Sequence, residues 1–123
     1  ALEKTARTTG RPAATAGTTA AKDHQGKARL DLVPPELLFG VGEALADGCR
    51  ERYEPRNWEK GTKWSKYFAA QQRHMWAWWG GEDNDPESGL PHLWHAACCT
   101  AFLVAYAKRG VGTDDRPKEH SND

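Results

Sequence analysis

Residues 91–110 read PHLWHAACCTAFLVAYAKRG, and this stretch decides the fold. Leu93, Trp94, Ala96, Ala97, Ala101, Phe102, Leu103, Val104, Ala105 and Tyr106 leave little room for a polar face. Lys108 and Arg109 suit the negative end of a helix dipole, and Gly110 suits the left-handed residue that closes a helix. The pattern predicts a helix that starts near Ser88 to Pro91 and runs to Arg109. A helix apolar almost all round needs burial on several sides.

Two further helices lie upstream. One ends at Gly80-Gly81 and carries Trp64, Tyr67, Phe68, Gln71, Met75 and Trp78 on one side, with Thr62 as the expected N-cap. The other opens at Pro34-Pro35, where proline suits the first turn, and continues through Leu37, Leu38, Val41, Ala44, Leu45, Gly48, Cys49 and Arg52 to about Tyr53. The expected fold is all-α, a compact bundle of three to four helices over residues 23–110. Residues 1–22, rich in Ala, Thr and Gly, and residues 111–123, charged and Gly/Pro-bearing, are expected as flexible tails. A bundle this small is near the lower limit for burying its own apolar surface, so the surplus is expected to meet a second copy in a homodimer or higher oligomer.

Composition narrows the class. The chain has 123 residues and zero formal net charge, which argues against a dedicated nucleic-acid binder. No apolar run is long enough for a signal peptide or a membrane span, so the expected setting is the cytoplasm. Cys98 and Cys99 are adjacent and Cys49 is distant, a spacing that makes neither a disulfide framework nor a zinc knuckle. All three read as small core residues in a reducing compartment.

The chemistry gathers between Arg73 and His95, RHMWAWWGGEDNDPESGLPHLWH, with four carboxylates, three histidines and four tryptophans in 23 residues. Glu82, Asp83, Asp85 and Glu87 crowd negative charge that a cation would offset, and oxygen ligands at this density suit magnesium, manganese or calcium. An ordinary solvated turn whose aspartates cap the next helix is the other reading. An EF-hand is excluded, because Gly89 falls one position late and Trp94 stands where glutamate is required. His92 and His95, three apart, share a helix face, where they would bind a metal, grip phosphate or bond to loop groups. His74 follows Arg73 on the preceding helix. Trp58, in the linker EPRNWEKG with Arg56 and Lys60, reads equally as a surface for a base to stack on and as a lid over the core. Lys27 and Arg29 would reach a polyphosphate or stay solvated.

Three ordered strings, QGKxRLDLxPPE, RNWEKG and RHxxAWxxGEDxDPESGLPHLxHAA, resemble the phage and prophage proteins grouped as dATP/dGTP diphosphohydrolase, N-terminal domain type. The resemblance runs from about Asp23 to Tyr106. It implies an all-α fold related to MazG-like nucleotide pyrophosphohydrolases, a Mg2+ or Mn2+ requirement, and cleavage of purine deoxynucleoside triphosphates to monophosphate and pyrophosphate inside the host cell. MazG-like sites carry paired ExxE and ExxD motifs on helices. Here Glu51 to Glu54 and Glu82 to Asp85 match those strings only in letters, the second in a loop bounded by glycine and proline. On this reading the metal ligands come from Glu82, Asp83, Asp85, Glu87, His92 and His95. His74, Glu82 and Asp85 carry the catalysis, and Lys27, Arg29, Arg56, Trp58, Lys60, Arg73 and Trp78 contact substrate. The competing class is a non-catalytic module that binds a nucleotide or a host protein around a structural metal.

Overall fold

The computed structural model describes residues 25–118, and the expected tail 1–22 lies outside them. The chain divides into two units, residues 1–32 and 33–123. The described part of the first is a turn followed by a 3-10 turn, Leu30–Leu32, in which Arg29 grips Asp31 through two hydrogen bonds of 2.9 and 2.8 Å.

The second unit is all-α. Helix α1 spans Pro35–Glu51, α2 Trp64–Trp79 and α3 His92–Arg109, with a 3-10 turn, Asn57–Lys60, between the first two. No strand occurs among the described residues. Proline at the first position of α1 has no N–H to leave unpaired, and Gly110 takes the left-handed conformation (φ 69°) that ends α3. α3 is central and both α1 and α2 pack on it.

Small residues permit that packing. Gly40, Ala44, Ala96, Cys98 and Cys99 are buried, and at Gly40 the backbone of α1 meets the Trp94 ring so closely that an added Cβ would stand 2.5 Å from Cδ1. At the other end of α3 an aromatic cluster fills the core. Tyr106 is 1% exposed and donates its hydroxyl hydrogen to the Trp58 carbonyl at 2.6 Å, while Phe102 touches both Trp58 and Tyr67 at 4.8 Å between centroids.

Within one chain only two helices cover α3, which leaves Val104 64% exposed and Leu93 41%. Three expectations need correction. Cys98 and Cys99 are core residues, with burial pushing their thiols up to about 12 and about 11, but Cys49 is exposed. Thr62 does not cap α2. The cap position is Lys63, without a side-chain bond, and the free N–H groups of the first turn are met from the C-terminal segment. There Trp64 N–H donates to the Thr113 carbonyl and Ser65 N–H to the Asp115 carboxylate, while Val111 accepts from the Trp64 indole at 2.8 Å. Residues 111–118, expected as the start of a tail, are thus tied to α2, because that helix needs acceptors it does not carry itself.

Candidate metal centre

Three histidines from two helices and one loop build the site. α2 presents His74 three turns in. α3 presents His92 in its first turn and His95 one turn later. The loop between them is held in shape by its own backbone: Glu82 N–H bonds the Ala77 carbonyl, Asp85 N–H the Leu90 carbonyl, Gly89 N–H the Asp85 carbonyl and His92 N–H the Asp83 carbonyl. Gly81 (φ 105°) and Gly89 (φ 77°) take backbone conformations that a side chain would strain. Asp85 does not cap α3. Its carboxylate accepts from the backbone and the hydroxyl of Ser88, at 3.2 and 3.1 Å, closing the turn 85–89.

The imidazoles are in mutual contact. His74 Nδ1 lies 2.9 Å from His92 Nδ1, and the His74 ring stacks on His95 at 4.7 Å. His92 is buried, and its Nε2 lies 2.7 Å from Glu82 Oε1. A carboxylate only accepts, so Nε2 carries a proton, and it is Nδ1 that faces His74. His95 Nε2 is 2.7 Å from the Ser88 hydroxyl and 3.8 Å from Asp85 Oδ2. Burial first, and then the charge of His95, lower the His74 pKa and favour its neutral form. Burial alone would raise the Asp85 pKa, but the hydrogen bonds from Ser88 and from the Glu87 backbone outweigh it and the net shift is downward.

These groups fit a divalent cation. One ligand atom each from His74, Asp85 and His92 lie within 4.8 Å of one another. Two cis nitrogens at about 2.1 Å from a six-coordinate ion stand about 3.0 Å apart, which matches the 2.9 Å between the two Nδ1 atoms. Glu82 is then the outer partner that fixes the His92 tautomer.

The structure brings His74, Glu82, Asp85, His92 and His95 together, with His74 in the ligand trio and Glu82 and His95 beside it. Asp83 contributes its backbone carbonyl, not its carboxylate. Glu87 lies on the rim of an open cleft of ≈ 600 Å³ bordered by the trio, and pairs there with Arg52 at 3.5 Å. Arg73 lines the same cleft. The other expected substrate contacts are placed differently. Trp58 stacks on the Phe102 ring, has the Arg109 guanidinium 5.3 Å from its ring centroid, and lines a neighbouring cavity and not the cleft. Arg56 pairs with Glu59 at 2.9 Å, Lys60 borders another cavity, and Trp78 packs against Trp79. Lys27 and Arg29 belong to the other unit.

Sequence reasoning passed over Asp47, Arg52 and Ser88 and set Glu51 aside as a match only in letters, yet all four line the cleft. Asp47 and Glu51 are four apart on α1 and so share a face, a signal that was available. Ser88 in a Glu-Ser-Gly turn carried none.

Comparison with known proteins gives a consistent answer. A family model described as dATP/dGTP diphosphohydrolase, N-terminal, matches residues 17–116. A protein of Salmonella phage PMBT28 named dATP/dGTP diphosphohydrolase is 35% identical over 98 residues, 80% of this chain and 33% of the relative. The chain thus spans about a third of that relative's length. No solved structure matches. With the matched region covering the three helices and every residue of the candidate metal centre, the chain belongs to the dATP/dGTP diphosphohydrolase N-terminal family.

Proposed function

We propose that this chain is a metal-dependent nucleoside triphosphate diphosphohydrolase that cleaves dATP or dGTP to the deoxynucleoside monophosphate and pyrophosphate. The observation that carries the reading is the convergence of His74, Asp85 and His92 at the edge of an open cleft also bordered by Arg52 and Arg73. The relative's name supplies the substrate class. Two imidazoles beside one carboxylate favour Mn2+ over Mg2+, which prefers oxygen ligands and retains its waters.

When bound, the ion supplies positive charge against the triphosphate oxygens and acidifies a water. His74, His92 and Asp85 hold it, and Glu82 keeps His92 in the tautomer that offers Nδ1. Arg52 and Arg73 offset phosphate charge from the cleft wall. Water attacks the α phosphorus, a new P–O bond forms, the α–β anhydride bond breaks and pyrophosphate leaves. A carboxylate oxygen of Glu51, which borders the cleft, takes the proton.

Incubation with Mn2+ or Mg2+ and each deoxynucleoside triphosphate, with ion-exchange separation of products, tests this. Monophosphate and pyrophosphate are expected from dATP or dGTP. Asp85→Ala is expected to lose at least about 100-fold in kcat while its circular dichroism stays unchanged. Unaltered hydrolysis by that variant would overturn the site.

One observation favours a second reading. The matched relative is about three times as long as the region shared with this chain, so its chemistry could reside elsewhere while this region binds nucleotide through a structural metal. Heat-stabilisation by nucleotide without release of pyrophosphate is its signature.

A further inference from the structure

The cleft at the candidate metal centre borders a second cavity. This one, ≈ 250 Å³, is bounded by Leu45, Tyr53, Asn57 and Phe102, and it shares Asp47, Arg52, His74 and His95 with the cleft. Beyond the four residues it shares with the cleft, its walls are mainly aliphatic and aromatic, with Asn57, Glu54 and Arg56 as polar members, against a cleft of carboxylates, imidazoles and guanidinium groups. Whole small ligands occupy pockets of roughly 300–1,000 Å³, so the smaller cavity takes part of a nucleotide and not all of it. A flat heterocycle suits apolar walls with an amide at the edge, and a triphosphate suits the cleft. The sugar that joins them then crosses the shared wall.

Asp47 stands at that crossing. Its side chain is only 13% exposed, and among the described residues its ion-pair partner is Arg50, at 3.6 Å, too long for a hydrogen bond. A largely buried carboxylate retains unused acceptor capacity, and a sugar hydroxyl is the donor a nucleotide carries midway between base and phosphates. We infer that the seam between the two cavities is the sugar subsite of a nucleotide, with Asp47 accepting a hydrogen bond from the 3′-hydroxyl. The inference rests on the nucleotide reading of the metal centre. It adds a residue on α1, the one helix that contributes no metal ligand.

Calorimetric titration of the whole chain with Mn2+ and a non-hydrolysable α,β-methylene deoxynucleoside triphosphate, repeated with its 2′,3′-dideoxy counterpart, tests the subsite without requiring turnover. A hydrogen bond to a charged acceptor predicts about tenfold or more weaker binding of the dideoxy compound. Asp47→Asn, nearly isosteric, is expected to shrink that ratio, and its circular dichroism reports whether it folds. Equal binding of the two compounds by the unsubstituted chain would overturn the subsite, and so would an unchanged ratio in a folded Asp47→Asn variant. The outcomes separate the two readings. Discrimination without hydrolysis supports the subsite and removes the hydrolase, hydrolysis without discrimination does the reverse, and absence of any binding removes both.

Discussion

Glu82 is 53% exposed at its side chain, yet its contact with buried His92 sets which imidazole nitrogen is bare. Substituting Glu82→Ala removes the acceptor that holds the His92 tautomer and leaves the ligand atoms in place. Mn2+ affinity, followed by calorimetry, is expected to fall about 10- to 100-fold with the helical content unchanged. His74 gives a pH signature. Burial and the charge of His95 depress its pKa in the folded chain, so as pH falls the unfolded chain takes up the proton first and the folded state is penalised. Its contribution to stability is complete above the ordinary histidine value of about 6.5 and is lost as pH falls through the lower folded value. Thermal melts of the metal-free protein from about pH 8 to about pH 5 should show a declining Tm, less steep in His74→Ala.

At the scale of the helices, the approach of α1 to α3 depends on a missing side chain. An added Cβ at Gly40 would stand 2.5 Å from the Trp94 ring, which is held within the packed face of α3. Gly40→Ala gains helix propensity but forces the helices apart, and overpacking outweighs propensity at this distance. A net loss of about 1–3 kcal/mol is expected from denaturant unfolding. All three helices were legible as sequence: observed ends fall within a few residues of those read from Pro35, Gly80 and Gly110, because proline and glycine act locally. The N-terminus of α2 was not legible. Its acceptors, Thr113 and Asp115, lie about 50 residues downstream, and no local pattern announces them.

For the molecule as a whole, the balance is a small core against a large apolar exterior. Leu38, Phe39, Trp76 and Trp79 are 71%, 70%, 66% and 73% exposed. No helix among the described residues is long and apolar enough to cross a membrane, so that surface does not mark a spanning segment. Self-association is the expected outcome: sedimentation velocity should show species above the monomer mass at micromolar protein, and Phe39→Lys with Trp79→Lys should return the chain toward monomer. A monomer at all concentrations in the unsubstituted chain would end that expectation.

The sequence by itself determined the helical class, the order of the helices and the stretch in which the candidate ligands gather, since periodicity, capping residues and residue type are local properties. Tertiary structure alone decided which of the candidate groups come together. Glu82, Asp83, Asp85, Glu87, His92 and His95 formed one undivided set when read along the chain. Folding separated them into an inner pair, Asp85 and His92, joined by His74 from another helix, with Glu82 behind His92, His95 against His74, and Asp83 and Glu87 turned to other work. It also added Asp47 from α1 and Arg52 from the end of that helix, and stacked Trp58 on Phe102 away from the cleft. Coordination needs atoms within a few ångströms, and only the packing of α1 and α2 on α3 sets those distances.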